Sequence, residues 1–505
     1  MIWYNILVLF LLFENNFDQV VRIKYMKIVL FAMNGSHSHT CLAIRCLRNS
    51  LEGSGFAPIL YEANLRDRRD EVLWELYERR ADLYSFSCYI WNIEEMLYIA
   101  SDLKKLLPNT KIVFGGPEAS FDIERFLDKP FIDYLICGEG EDAIVELCSS
   151  LLEKKETPRV INGGIPTVMG DEGILYRDDC KSGEMLYYES SRGCPYRCSY
   201  CLSSNEGKIR AKSVEQTLSD LLEFERLSTD IKIIKFVDRT FNFDKDRANK
   251  IWSALADEKY TKNYHFEICA SLLDEESFSV LERLPHGKVQ LEIGLQSTNE
   301  LTLFTVSRHI DSDSVIKAAK RIVKMGNIHV HLDLIAGLPY EDYESFKRSF
   351  NDAYFACHML QLGFLKLLHG TKLREDAKKY GIEYSERPPY TVLKTDVMSR
   401  EDLHKLMGIA DLLDRYYSSG KFEKCLDYAV KMWSSPFDFY EGLFDFLNEN
   451  EGRGIRKLSQ IDAFRVLYSY IKVNLSRKEA DEFEFLMHED FSRHEARRMP
   501  FSVLK

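Results

Sequence analysis

The chain is 505 residues long, 45% hydrophobic and 29% charged, which supplies apolar surface for two or three folded domains and excludes long disordered segments. Its formal net charge of -12 excludes a general nucleic-acid or anionic-membrane surface, because such partners are held mainly through Lys and Arg. The twelve cysteines are sparse and mostly scattered, which excludes a disulfide framework and indicates reduced thiols in a cytoplasmic protein.

Ile2 to Phe13 is almost wholly apolar, yet too short to span a bilayer as a helix. It lacks the basic start and the small-residue cleavage site of a signal peptide, and runs directly into Glu14-Asn15-Asn16. Residues 1–25 are therefore expected to lie outside the native fold, with Met26 as the start of the first buried strand.

From residue 26 to 155, short apolar runs alternate with amphipathic stretches. Lys27 to Met33, Pro58 to Tyr61, Asp82 to Phe86, Lys111 to Phe114 and Asp133 to Ile136 read as strands, with helical patterns between them. This order predicts an α/β fold with a doubly wound parallel sheet, whose ligands bind beyond the C-terminal strand ends. Residues 156–184, richer in Gly, Pro and charge, read as a connection between domains.

A second series occupies residues 185–398. Leu186 to Ser190, Ile233 to Val237, His265 to Ala270, Val289 to Ile293, His329 to Ile335 and Leu362 to Leu367 read as strands separated by helices. Six β/α units predict a partial TIM-type barrel with its active site at the C-terminal strand ends. Residues 399–505 change to helices, the first opening on Ser399-Arg400-Glu401-Asp402 with an apolar stripe at Leu403, Leu406, Ile409 and Leu413.

The strongest chemical signal follows the first barrel strand: Ser191-Arg192-Gly193-Cys194-Pro195-Tyr196-Arg197-Cys198-Ser199-Tyr200-Cys201. Three thiolates on a four-iron cubane leave one iron without a protein ligand, where chemistry can occur. Zinc is the alternative, but it needs a fourth ligand from a distant part of the chain.

Cys-x3-Cys-x2-Cys in this place resembles the signature of the radical S-adenosylmethionine (SAM) superfamily. The resemblance implies a 4Fe-4S cluster on Cys194, Cys198 and Cys201, with SAM chelating the open iron. One electron then cleaves the S-C5' bond, giving methionine and a 5'-deoxyadenosyl radical. It places Tyr200 against the adenine and Asp238, in Phe236-Val237-Asp238-Arg239-Thr240, in the segment that holds the methionine amino group, although the usual Gly-Gly-Glu is absent. Glu292 and Gln296 in Glu292-Ile293-Gly294-Leu295-Gln296-Ser297, and Asp333 in Asp333-Leu334-Ile335-Ala336-Gly337, become candidate cofactor contacts. Each of these side chains could instead satisfy neighbouring backbone.

A sheet domain ahead of such a barrel is similar to the cobalamin-binding subgroup of that superfamily. Ser87, Gly115, Gly116 and Gly138 then stand at strand ends where small residues make room for the cofactor. The Asp-x-His-x-x-Gly loop that ligates cobalt in many cobalamin proteins is replaced by Asn34-Gly35-Ser36-His37-Ser38-His39-Thr40, which implies cobalamin without a protein histidine ligand. A degenerate domain that has lost cobalamin is the alternative.

Gln361 to Leu368, Gly370-Thr371, Pro388 to Thr395 and the helical tail together resemble a bacterial cobalamin-dependent radical family whose last domain is of unknown function. The implied activity is methyl transfer to an unactivated carbon of an unknown substrate, fed by a one-electron reductant such as flavodoxin or ferredoxin. The alternatives are a radical rearrangement or cyclisation, methylthiotransferase-like RNA modification, which the acidic charge disfavours, and a non-catalytic corrinoid or redox sensor.

Overall fold

The computed structural model describes residues 26–494 apart from 166–168, 170–174, 178–179, 182, 206, 228–229 and 451–454, so the expectation for residues 1–25 lies outside the described residues. Two compact units part near residue 180. In the first, β1 (Ile28–Asn34), β2 (Ile59–Asn64), β3 (Leu83–Ser87), β4 (Lys111–Gly115), β5 (Tyr134–Gly138) and β6 (Val160–Gly164) form one parallel sheet in the order β2-β1-β3-β4-β5-β6. Central strands are apolar on both faces because helices cover both. Helices Leu42–Gly53 and Glu141–Leu152 supply one core layer, while Arg69–Arg79 and Ile93–Leu106 supply the other. The strand order reverses between β1 and β3, which makes their C-terminal ends the expected ligand crevice.

Strand β6 corrects the reading of 156–184 as connection alone. Val160-Ile161-Asn162-Gly163-Gly164 pairs with β5 from Leu135 to Gly138 as an edge strand. With two apolar residues and partial exposure it has no alternation to reveal it. Its glycine is forced by packing: a Cβ on Gly163 would sit 1.7 Å from the Glu139 carbonyl oxygen.

In the second unit β7 (Met185–Tyr188) is followed by a two-residue antiparallel ribbon, β8 (Ser191–Arg192) with β9 (Arg210–Ala211). Then come β10 (Ile233–Phe236), β11 (Asn263–Ile268), β12 (Val289–Gln296), β13 (His329–Ala336) and β14 (Met359–Phe364). They form an all-parallel sheet in the order β14-β13-β12-β11-β10-β7, the open six-strand barrel sheet that the alternating pattern predicts. The last strand begins three residues before the expected Leu362. Along β12, Val289, Leu291, Ile293 and Leu295 are buried, while Gln290, Glu292, Gly294 and Gln296 occupy the other face.

The C-terminal helices belong to this second unit. Ser399 and Asp402 form the expected capping box of helix Arg400–Leu412. Helix Pro436–Asn450 packs against helix Tyr343–Tyr354 of the barrel through Phe437 on Phe350, with ring centroids 5.2 Å apart, and a Lys347–Asp438 ion pair of 2.5 Å. The Tyr417 hydroxyl, in the turn Leu413–Tyr417, donates to the carbonyls of Tyr354 and Cys357, tying the helices to the start of β14. No helix among the described residues is long and apolar enough to cross a membrane.

Replacing Gly163 with alanine forces the two backbones apart and is expected to lower stability by about 2 kcal/mol. Denaturant unfolding followed on the isolated change measures it; an unchanged midpoint would show that β6 does not pack as described.

Candidate active site

Residues 194–201 leave the sheet through the β8–β9 ribbon and are fixed from several sides. Ser199 donates its amide to the Val306 carbonyl and accepts from the Leu373 amide, while the Cys201 amide donates to Cys198. Arg197 reaches the carbonyls of Ser204 and Gly207 and closes the loop on itself. The result places Cys194, Cys198 and Cys201 on one cavity, with all three thiols free.

Tyr200, Glu292, Gln296 and Asp333 line the same cavity, so four of the five side chains expected beside SAM converge on the three cysteines. Asp238 does not. It is fully buried beneath the loop, accepting from the Ser190 amide at 2.7 Å, the Ser190 hydroxyl at 2.6 Å and the Ser191 hydroxyl at 2.7 Å. Burial raises its pKa against the opposing pull of these bonds and of Arg247. Its place at the end of β10 is taken on the cavity wall by Arg239 and Thr240, and the Thr240 hydroxyl lies 3.4 Å from Cys194 Sγ.

Strand β12 is distorted where it meets the cavity. A bulge leaves Leu295 without a partner in β13, and Gln296 takes a φ of 71°, a region few residues other than glycine adopt. The buried Gln296 Oε1 has no hydrogen-bond partner. A strained backbone presenting an unsatisfied buried amide is the pattern of a ligand contact. Gly294 permits it, since a Cβ there would lie 2.3 Å from Gln296 Nε2.

Sequence reasoning missed Arg308. Its Nη2 donates to the Gly294 carbonyl at 2.5 Å, its Nη1 stands 3.9 Å from Cys198 Sγ, and its guanidinium lies 5.3 Å from the Tyr196 ring centre. A buried cation beside a thiol favours the thiolate that metal binding needs; burial pushes the Cys198 thiol up and Arg308 pulls it down. No local pattern marks Arg308, because a helix, Glu300–Thr305, and a loop separate it from β12. Opposite it, burial together with Glu292 and Glu267 holds the Asp333 carboxyl well above the usual carboxylate range, and Gln361 donates to it at 2.8 Å.

In the first unit, Ser87, Gly115, Gly116 and Gly138 stand at the C-terminal ends of β3, β4 and β5 as expected. Two of these glycines are explained by packing: with positive φ, a Cβ on Gly116 would meet the Cys88 oxygen at 2.7 Å and one on Gly138 the Gly164 oxygen at 3.0 Å. Gly115 has ordinary space around it, and the Ser87 hydroxyl makes no hydrogen bond, so these two fit a molecule laid over the strand ends. Asn92 donates to the carbonyls of Met33 and Ser87 and so ties the ends of β1 and β3 together. His37 is exposed and 3.9 Å from Asp67.

The chain carries a B12-binding domain and a radical SAM domain by family match. Residues 31–148 match the B12 binding domain family, 188–353 the Radical SAM superfamily and 378–504 a family described as protein of unknown function DUF4080. Such domains take cobalamin, and a 4Fe-4S cluster with SAM, respectively. The chain is 26% identical over 449 residues to the cobalamin-dependent radical SAM methyltransferase TokK of Streptomyces tokunonensis, covering 77% of this chain and 64% of that protein. It is 27% identical over 331 residues to the hopanoid C-3 methylase of Methylococcus capsulatus, covering 61% and 62%. It thus spans under two thirds of each of these relatives. The solved structure of the radical SAM methyltransferase TsrM from Kitasatospora setae, with cobalamin and cluster bound, shares the fold with a TM-score of 0.59 at 15% identity, over 93% of this chain and 100% of that one.

Ser297, the last residue of the Gly-Leu-Gln-Ser turn, is held by the fully buried Glu341 at 2.5 Å. Burial pushes the Glu341 pKa from 4.5 up to about 7. The folded state therefore binds the extra proton, and the stability it contributes is present below about pH 4.5 and lost as pH rises through 7. Glu341→Gln is expected to raise stability by about 3 kcal/mol at pH 8 and to change little at pH 4.5. Thermal unfolding at the two pH values checks the difference; equal effects at both would show an ordinary carboxylate.

Proposed function

We propose that this chain is a cytoplasmic, cobalamin-dependent radical SAM methyltransferase that modifies an unactivated carbon. The observation that carries the reading is the convergence of Cys194, Cys198 and Cys201 with Tyr200, Gln296, Glu292, Asp333 and Arg308 on one cavity at the C-terminal edge of the barrel sheet, in a chain that also holds a B12-binding domain. When bound, the cluster supplies one electron to SAM and leaves one iron for its amino and carboxylate groups. The protein's own part is to position. Arg308 offers a fixed guanidinium for the methionine carboxylate, held in place by the Gly294 carbonyl. Gln296 presents an unpartnered amide oxygen and Glu292 a carboxylate on the same face of β12, groups able to meet ribose hydroxyls. Tyr200 contributes an apolar ring next to Cys201, and the protonated form of Asp333, favoured by burial and then by its carboxylate neighbours, can donate as well as accept. Asp238 acts through the loop it anchors.

Electrons come from a one-electron reductant of the flavodoxin or ferredoxin type, and the substrate is the partner still to be identified. The reading predicts that anaerobically reconstituted enzyme, given SAM, reductant and substrate, forms 5'-deoxyadenosine and S-adenosylhomocysteine together. Deoxyadenosine without homocysteine product would instead indicate rearrangement or cyclisation, a methylthiolated RNA would indicate the modifying class, and binding of SAM without cleavage would indicate a sensor.

Arg308→Gln removes one charge-assisted contact and is expected to weaken SAM binding about tenfold per loaded cluster, with some loss of iron because Arg308 also favours the Cys198 thiolate. Equilibrium binding of SAM to the cluster-loaded variant measures this, and an unaltered affinity would remove Arg308 from the SAM site.

A further inference from the structure

A full TIM barrel fills its interior with Val, Ile and Leu. This one does not. Three adjacent strands direct His265 of β11, Glu292 of β12 and His331 of β13 to one place, and their ligating atoms all lie within 4.8 Å of one another. Glu292 and His331 are paired across the sheet, and His265 stands opposite Gln290, two residues before Glu292 on the same face of β12. The two rings meet edge to face with centroids 5.1 Å apart.

The chemistry of each group suits a cation. His265 is buried, with its Nε2 3.1 Å from Glu292 Oε2. His331 pairs with Glu292 across the sheet and offers a ring nitrogen of the kind that ligates a transition metal. Glu292, on the strand between the two histidines, supplies the carboxylate. Lys235 donates to Glu292 Oε2 at 2.9 Å, the kind of outer contact that orients a ligating carboxylate. No hydrophobic packing need explains two histidines and a carboxylate meeting inside a sheet.

We propose that His265, Glu292 and His331 form a divalent transition-metal site in the barrel interior, separate from the three-cysteine cluster. Two imidazoles and one carboxylate are a ligand set used for zinc with a fourth position left open, and for ferrous iron as a facial triad. Tetrahedral zinc at about 2.0–2.1 Å from each ligand needs ligand atoms roughly 3.4 Å apart, a spacing reached by modest rotation about the soft histidine χ2. Because Glu292 also lines the SAM cavity, the open position is available to an oxygen donor of the substrate, a carboxylate, hydroxyl or carbonyl. The site does not depend on methyl transfer being the reaction.

Zinc is the probe. Cluster-loaded, full-length enzyme is titrated anaerobically with zinc against a chromophoric chelator, and bound zinc and iron are counted by elemental analysis. The wild type is expected to hold one zinc per chain beyond its cluster iron. His265→Gln and His331→Gln are each expected to weaken it at least about 100-fold, while iron content and cluster absorption stay unchanged. His329→Gln, a neighbour on β13 outside the set, serves as the control and keeps its zinc. Absence of zinc in the wild type, or equal zinc affinity in all four proteins, would overturn the assignment; loss of cluster in a variant is read against its His329 counterpart, and the wild-type stoichiometry then decides.

Discussion

Asp238 has no solvent contact, and its two carboxylate oxygens accept from the backbone and hydroxyl of Ser190 and from the hydroxyl of Ser191. Arg247 closes the network by donating to the Ser190 hydroxyl at 2.9 Å. Cys194 begins three residues after Ser191, so this joint between β7 and β10 sets where the cysteine loop starts. Leaving such a buried charge without its partners typically costs about 3–5 kcal/mol. The loop is therefore held from below by polar contacts and from the side by Arg308 and Val306, and its cysteines face a cavity whose far wall is the bulged end of β12. A parallel sheet makes this economy possible, because all its strands end on the same edge.

Much of this was legible in the chain itself, and the exceptions have physical causes. Strands buried on both faces, such as Ile28–Asn34 and His329–Ala336, announce themselves as apolar runs bounded by turn residues. Val160–Gly164 did not, because an edge strand with half-exposed residues needs neither an apolar run nor alternation. The three cysteines were legible because metal ligation fixes their spacing within one loop. Asp238 was misplaced for the opposite reason: a carboxylate at a strand end reads the same whether it faces a ligand or a backbone amide, and only the loop crossing over it decides. Arg308 left no trace, since its closeness to Cys198 and Gly294 comes from the return of the chain after β12.

The barrel interior divides into two regions with different demands. Towards the C-terminal edge, Gln296, Arg308 and Tyr200 build a site whose strain and unsatisfied groups a bound cofactor would relieve. Deeper in, Lys235, His265, Glu292 and His331 keep charge and lone pairs where a stable barrel would keep branched hydrocarbon. Glu292 belongs to both, which couples whatever binds inside the barrel to what binds above it. The C-terminal helices fit this division: they pack on helix Tyr343–Tyr354 and tie down the start of β14 through Tyr417, supporting the open side of the sheet from the end away from the cysteines.

The rest of the site turns on a cluster held by the cysteine loop with one iron open to SAM. Electron paramagnetic resonance of the reduced protein, recorded with and without SAM, tests it most directly. The expected result is a signal from a reduced four-iron cluster whose g values shift when SAM is added and which disappears in the Cys198→Ala variant. A signal indifferent to SAM, or full iron content without Cys198, would contradict it.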